Sequence, residues 1–193
     1  MLDLNEFAKE VHAVAVEHGW WEGEENNDID TKIALIHAEW SEALEEYRAG
    51  RPMVWHRCED STEENVIICE KCPDCYYQGE ECKYRIPKPE GIAVELVDGC
   101  IRIMDLIASK DMDFEQVGYI VCGYRTLPQL VAILHYATAK SYASESERAN
   151  WLSSCIEAVR EWLEDQGVDF EAVMKAKHAY NKTRSYRHGG KRC

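Results

Sequence analysis

Two pairs of acidic residues interrupt apolar segments of this chain and restrict how it can fold. Glu39 and Glu42 form the first pair, and Glu95 and Asp98 form the second. Each pair has i, i+3 spacing in a segment whose apolar residues recur at helical period, so its two carboxylates share one helix face. Charged side chains are rarely buried unless a partner or a metal ion compensates them. The pattern predicts two amphipathic helices that pack together and bring four carboxylates into one pocket.

Carboxylates gathered in one pocket repel one another unless a cation lies between them. Oxygen-only ligand sets favour hard cations, so Mg²⁺ or Mn²⁺ is the expected ion. Such an ion commonly assists attack on a phosphate group. Either pair alone is also compatible with a solvated acidic helix face. The apolar surroundings favour the metal site, and Arg102 and Asp105 continue the polar stripe of the second pair.

Helical periodicity extends over most of the chain, and few segments alternate with the period of a strand. The predicted fold class is all-α, a helical bundle in a single domain, for which 193 residues suffice to bury a core. Residues 113–124 are ambiguous. We predict helices over 3–18, 31–48, 90–109, 128–143, 146–165 and 169–180.

Composition excludes several classes of protein. The net charge of −14 argues against general binding to nucleic acid or to an anionic membrane surface. No apolar run is long enough to span a bilayer, and Asp3 and Glu6 disfavour a signal peptide. Nine cysteines without a secretion signal favour metal binding over disulfides. We therefore expect a cytoplasmic protein.

Residues 51–88 separate the two carboxylate-bearing helices and carry a cluster of cysteines. Their Cys-x-x-Cys-x-x-Cys spacing with a further Cys suits a tetrahedral thiolate site, which predicts structural Zn²⁺. An iron–sulfur cluster is the next alternative, followed by inert or disulfide-bonded cysteine. A site with four thiolates has no open position, so its expected role is to stabilise a lobe. The preferred ligands are Cys69, Cys72, Cys75 and Cys82, with Cys58 as the main substitute and His56 as a further competitor.

The C-terminal part of the chain has the opposite charge, because no Asp or Glu follows Glu171. Arg and Lys donate charge-assisted hydrogen bonds to phosphate oxygens, and Asn can add its amide. The alternative is a disordered basic tail. We expect Lys182, Arg184 and Arg187, the cations that follow the last helix, to close over the outer phosphates of a ligand. Lys177 in the helix and Asn181 next to it are further candidates for the same contact.

Two adjacent tryptophans, Trp20 and Trp21, open the loop after the first predicted helix. Aromatic faces stack well on nucleobases, so these residues are candidates for substrate binding. The alternative is that both rings anchor the loop to the core.

With these motifs in this order, the chain resembles the MazG-like all-α nucleoside triphosphate pyrophosphohydrolases. Their pattern is EExxE on one helix and ExxD on the next, and this sequence has AEWSE at 38–42 and ELVD at 95–98. Ala38 stands where the family has its first Glu. The ending AYNKTRSYRHGGKRC, 179–193, also looks like the tail of phage and bacterial members.

The resemblance implies cleavage of a nucleoside triphosphate to a monophosphate and pyrophosphate. It implies that the two carboxylate pairs hold Mg²⁺, and that Lys177 and Asn181, with Lys182 or Arg184, reach the phosphates. Glu42 is our first choice for activating the attacking water, with Glu39 as the other candidate. A homodimer or higher homo-oligomer is also implied. Residues 51–88 and 110–167 are additions to the shortest family members, and the second addition could replace helices that others obtain by dimerisation.

Other classes of protein fit the sequence less well. A ferritin-like di-iron protein needs Glu-x-x-His pairs, and no His in this chain has a Glu three residues before it. No Walker loop, dinucleotide glycine motif or nucleophile elbow is present. The main alternative is a non-catalytic helical adaptor or regulatory protein with a structural zinc module.

Overall fold

The computed structural model describes residues 2–23, 28–57, 68–69, 88–114 and 126–187. Most of this part is helical, which confirms the predicted all-α class. The helices are α1 (Leu4–Glu17), α2 (Ile29–Arg48), α3 (Ile92–Ser109), α4 (Leu127–Ala143), α5 (Arg148–Asp165) and α6 (Phe170–Thr183), with one 3₁₀ turn at Glu145–Glu147. None of the described helices combines the length and the apolar character needed to cross a membrane.

Every helix that the sequence predicted is present, and the differences lie at the ends. Helix α2 begins two residues before the predicted 31–48 range and is capped by Asp28, whose carboxylate accepts a hydrogen bond from the Thr31 backbone N–H at 2.6 Å. Helix α3 begins at Ile92 and not at residue 90, because Lys88–Glu90 form a strand and Gly91 is the N-terminal cap of the helix. Residues 115–124 of the ambiguous segment lie outside the described residues.

Helix α3 is the centre of the bundle. It packs against α1, α2, α5 and α6, while α4 packs against α2 and α5. Its apolar side chains lie on more than one face, so packing on one side alone would not bury them all. Leu96, Val97, Ile103 and Met104 are all fully buried. The acidic residues of α3 are therefore held in a helix that has little freedom to shift.

The helices α2 and α3 approach closely where Trp40 meets Gly99. A β-carbon at residue 99 would lie 2.2 Å from the Trp40 indole, so only glycine permits this contact. Trp40 is fully buried, and its Nε1 donates a hydrogen bond to Thr138 Oγ1 on α4 at 3.0 Å. Glu39 and Asp98 each precede one of the two contacting residues. The close contact therefore brings the two acidic faces to the same level of the bundle.

A small antiparallel sheet lies beside the bundle. Its strands are β1 (Trp55–Arg57), β2 (Ile68–Cys69) and β3 (Lys88–Glu90), in the order β2-β1-β3. Trp55 is buried and donates its Nε1 hydrogen to Glu46 Oε2 on α2 at 2.7 Å. The Ala93 N–H donates to Met53 O at 2.9 Å. These contacts fasten the beginning of α3 to the chain that leaves α2.

We expect the Gly99→Ala variant to be less stable than the wild type, although Gly→Ala in a helix usually stabilises it by about 1 kcal/mol. The added methyl group overlaps the Trp40 indole, and overpacking of this kind costs about 1–3 kcal/mol. Urea unfolding followed by circular dichroism measures the free energy of unfolding. The Trp40→Leu background is the control, because the same substitution should cost much less once the indole is gone. Equal costs in the two backgrounds would contradict the steric origin.

Candidate functional site

A cleft of about 220 Å³ opens among α1, α2, α3, α6 and β3. The structure brings all four predicted carboxylates to this cleft, together with part of the predicted basic segment. The predicted residues that line it are Glu39, Glu42, Glu95, Asp98, Lys177, Asn181, Arg184 and Trp20. The carboxylate-bearing helices and the basic C-terminal segment, which the sequence assigned to one site, therefore lie at the same cleft.

Three of the carboxylates form a compact group. Glu39 and Glu42 on α2 and Glu95 on α3 each offer one oxygen, and these oxygens all lie within 4.8 Å of one another. Glu39 and Glu95 are buried, whereas Glu42 is exposed at the cleft. Oxygen donors at this separation suit a hard divalent cation, so the residues present fit Mg²⁺ or Mn²⁺.

The electrostatics of the group show the same need for a cation. Burial raises the pKa of Glu39 to about 7, with the charge of Asp98 adding to the effect and Arg102 opposing it. Burial likewise raises the pKa of Glu95 to about 8, with Lys177 opposing the shift and Asp98 reinforcing it. The ionised form of each group is thus under-compensated by the chain itself, and a bound cation would favour it.

Asp98 lies apart from this group and faces α6. Its Oδ2 is 3.1 Å from Lys177 Nζ, and Asn181 donates its Nδ2 hydrogen to Oδ1 at 3.5 Å. Burial alone would raise the pKa of Asp98, but the charges of Lys177 and Arg102 outweigh it and hold the pKa below its usual range. Lys177 is itself buried. Asp98 is therefore compensated by α6, and its role as a metal ligand stays a prediction.

Arg102 is a member of the site to which the sequence assigned no function. Its Nε donates a hydrogen bond to Glu39 Oε1 and so joins α3 to α2. Burial opposes the charged form of Arg102, but Glu39 and Asp98 raise its pKa overall. Its spacing could have identified Arg102 as a site residue, because Arg102 follows Asp98 by one helical turn and shares its face. No local pattern identifies Glu39 as the partner.

The cations of the basic segment, the part of the chain after Glu171, lie in two different environments. Arg184 lines the cleft, and burial lowers its pKa. Its guanidinium lies 5.9 Å from the Tyr180 ring centre and makes no hydrogen bond or ion pair with the described residues. Lys182 instead pairs with Glu10 on α1. Arg187 donates Nε to Gly19 O at 3.1 Å and Nη2 to Glu22 O at 2.8 Å. Of the three cations expected to close over a ligand, only Arg184 faces the cleft in the described structure.

The two tryptophans have different positions. Trp20 lines the cleft, so its stacking on a base stays a prediction. Trp21 donates its Nε1 hydrogen to Asp105 Oδ1 at 2.8 Å, and Lys32 Nζ lies 3.8 Å from its ring centre. These contacts place Trp21 in the anchoring role that was the alternative for both residues.

The proposed zinc ligands Cys72, Cys75 and Cys82, and the substitute Cys58, lie outside the described residues. The backbone of Cys69 is in β2, paired with His56 of β1. The zinc site stays a prediction.

Without divalent cations, we expect Glu95→Gln to be more stable than the wild type at about pH 9 and equally stable at about pH 5. The pKa of Glu95 is about 8 in the folded state, above its ordinary value of 4.5, so the folded protein holds a proton that the unfolded chain releases. Stability is therefore lost as the pH rises through this window, and glutamine removes the loss. Melting temperatures in EDTA measure the effect, and each kcal/mol corresponds to about 2–4 °C.

The exposed Glu164 on α5 supplies the control, because Glu164→Gln should follow the wild-type pH profile. Added Mg²⁺ should raise the melting temperature of the wild type at alkaline pH more than that of Glu95→Gln. A Glu95→Gln profile that matches the wild type in EDTA would contradict the electrostatic description of the group.

Comparison with known proteins found no match among protein-family models, curated proteins or solved structures. The function proposed below therefore depends on the residues of this chain.

Proposed function

We propose that the protein is a Mg²⁺-dependent nucleoside triphosphate pyrophosphohydrolase that cleaves between the α and β phosphates. The observation that carries the proposal is the meeting of the Glu39–Glu42–Glu95 group with Arg184 and Lys177 in one cleft. A pocket with carboxylates for a cation and cations for an anion suits a metal–polyphosphate complex. The resemblance to the MazG-like family agrees with this chemistry, and it extends the proposal to a cytoplasmic homodimer or higher homo-oligomer.

The carboxylate group has the donor set to hold the metal. When bound, Mg²⁺ supplies polarisation of a phosphoryl oxygen and lowers the pKa of a coordinated water. Arg102 keeps the Glu39 carboxylate in one orientation through its hydrogen bond to Oε1. The carboxylate of Glu42 makes no hydrogen bond or ion pair with the described residues, and it is exposed at the cleft. Glu42 is therefore the proposed acceptor of the water proton, with Glu39 as the second candidate.

The positively charged residues of the cleft are assigned to phosphate binding. Lys177 is shared with Asp98, whereas Arg184 has no carboxylate partner among the described residues. A guanidinium donates two parallel hydrogen bonds to phosphate oxygens, which makes Arg184 the strongest candidate for that contact. Asn181 Oδ1 is buried without a hydrogen-bond partner in the described structure, and it accepts from a water or a ligand hydroxyl in this proposal.

The apolar part of the cleft lining is assigned to the base. Val11, Val14, Leu35 and Ile101 supply an aliphatic wall, and Trp20 supplies an aromatic face. Planar apolar surfaces bind against such side chains, and most small-molecule sites combine them with a few polar groups.

A non-catalytic helical regulatory protein is the second candidate. The observation that favours it is that two of the four carboxylates already have a cation within the chain, Glu39 with Arg102 and Asp98 with Lys177. Buried ion pairs of this kind also occur for structural reasons. A turnover assay distinguishes the two candidates, because a non-catalytic regulatory protein should hydrolyse no nucleotide.

Purified protein with Mg²⁺ should release pyrophosphate from at least one member of a nucleoside triphosphate panel, and EDTA should stop the reaction. Glu42→Gln should lower kcat by about 100-fold or more, because the proposed proton acceptor is lost. The matched control is Glu45→Gln, an exposed position on the same helix that pairs with Arg48, and it should keep wild-type rates. Products are separated by anion exchange. Orthophosphate as the first product would refute the pyrophosphohydrolase proposal.

Arg184→Ala should lower kcat/KM by about tenfold or more, since a charge-assisted hydrogen bond contributes about 1.5–3 kcal/mol. Its melting temperature should stay near that of the wild type, because among the described residues the guanidinium makes no hydrogen bond or ion pair and only contacts the Tyr180 ring at 5.9 Å. Arg187→Ala is the contrasting variant. It should lower the melting temperature, because its bonds to the Gly19 and Glu22 carbonyls are lost, with a smaller effect on kinetics. Wild-type kinetics in Arg184→Ala would contradict the assignment to phosphate.

A further inference from the structure

The Cys-rich segment returns to the bundle at Lys88, the first residue of β3, and this lysine lines the cleft. Lys88 is the last residue of the 51–88 addition, and no sequence pattern marked it. The strand β3 contacts both α3 and α6, so Lys88 approaches the cleft beside the helices that carry Glu95 and Lys177. It is a cation that comes from neither the acidic helices nor the basic segment.

The backbone that carries Lys88 is held firmly on both sides. In the β1–β3 register, Lys88 pairs with Arg57 and Glu90 pairs with Trp55, whose indole is anchored to α2. Gly91 follows with φ +112°, and a β-carbon there would lie 2.8 Å from the backbone oxygens of Pro52 and Met53. A side chain on such a support samples a limited region, which favours binding at a defined place.

The local charges suit a ligand contact. Lys88 Nζ pairs with Glu90, whose side chain is 7% exposed, whereas that of Lys88 is 35% exposed. An ammonium group has three donors, so Lys88 can keep its bond to Glu90 and still donate to a second acceptor. The buried partner thus orients the lysine, which lines the cleft and is 35% exposed.

We propose that Lys88 is a substrate-binding residue that donates to phosphate oxygens of the ligand. The Cys-rich addition would then supply part of the active site and not only a separate lobe. The chemical class of the ligand, a polyphosphate, rests on the proposed function. The contact itself is measured by binding, which does not require turnover.

Isothermal titration with inorganic tripolyphosphate in the presence of Mg²⁺ tests the contact. Lys88→Ala should weaken binding about tenfold, which corresponds to the loss of one charge-assisted hydrogen bond. Lys88→Arg should stay within about threefold of the wild type, because a cation remains. Lys9→Ala is the control, since Lys9 is exposed on α1, pairs with Glu6 and should not affect binding.

The double variant Lys88→Ala/Glu90→Gln separates binding from folding. It removes both charges, so no buried carboxylate is left without its partner, and circular dichroism checks that it folds. Weak binding in both the single and the double variant is the expected result. Wild-type binding in Lys88→Ala, or recovery of binding in the double variant, would overturn the proposal, because Lys88 would then serve only to neutralise Glu90. A wild type that binds tripolyphosphate through Lys88 but hydrolyses no nucleotide would refute the proposed function alone.

Discussion

The indole of Trp40 occupies the space in which a β-carbon of residue 99 would lie, so α2 and α3 pack this closely only because residue 99 is glycine. The carboxylates of the site depend on this contact, since Glu39 and Asp98 are the neighbours of the two packed residues. The hydrogen bond from Trp40 to Thr138 adds α4 to the same layer. Packing of an apolar core, which is dense and tolerates little displacement, thus sets the separation of charged groups a few ångströms away.

Some charged side chains of the cleft have a partner of opposite charge within the chain, whereas others are compensated too little. Lys177 compensates Asp98 from within the chain and Arg102 compensates Glu39 only in part, and these pairs join α2, α3 and α6. Burial raises the pKa of Glu95, and the charges of Asp98 and Glu39 add to the effect, so the metal-free site is unfavourable at alkaline pH. A cation that relieves the repulsion binds the folded state alone, so it would stabilise the protein as it completes the proposed site.

Segments from both ends of the chain and from its middle converge on this cleft. The basic segment places Arg184 in it and then crosses to the loop after α1, where Tyr186 packs on Gly19 and Arg187 bonds to two carbonyls. The Cys-rich addition contributes Lys88 through β3. The loop that carries Trp20 is therefore tied to the same C-terminal residues that supply a proposed phosphate contact.

The sequence by itself determined the helices and which carboxylates share a helix face, because both depend on residues within one or two turns. Apolar spacing located all six helices, and the i, i+3 pairs placed Glu39 with Glu42 on one face. Only the tertiary structure decided that Asp98 turns to Lys177, that Arg102 meets Glu39, and that Lys88 reaches the cleft. It also directed Lys182 and Arg187 to α1 and its loop and not to the cleft. Such partners are chosen by which helix faces pack together, and that choice depends on contacts such as Trp40 with Gly99 that lie far apart along the chain.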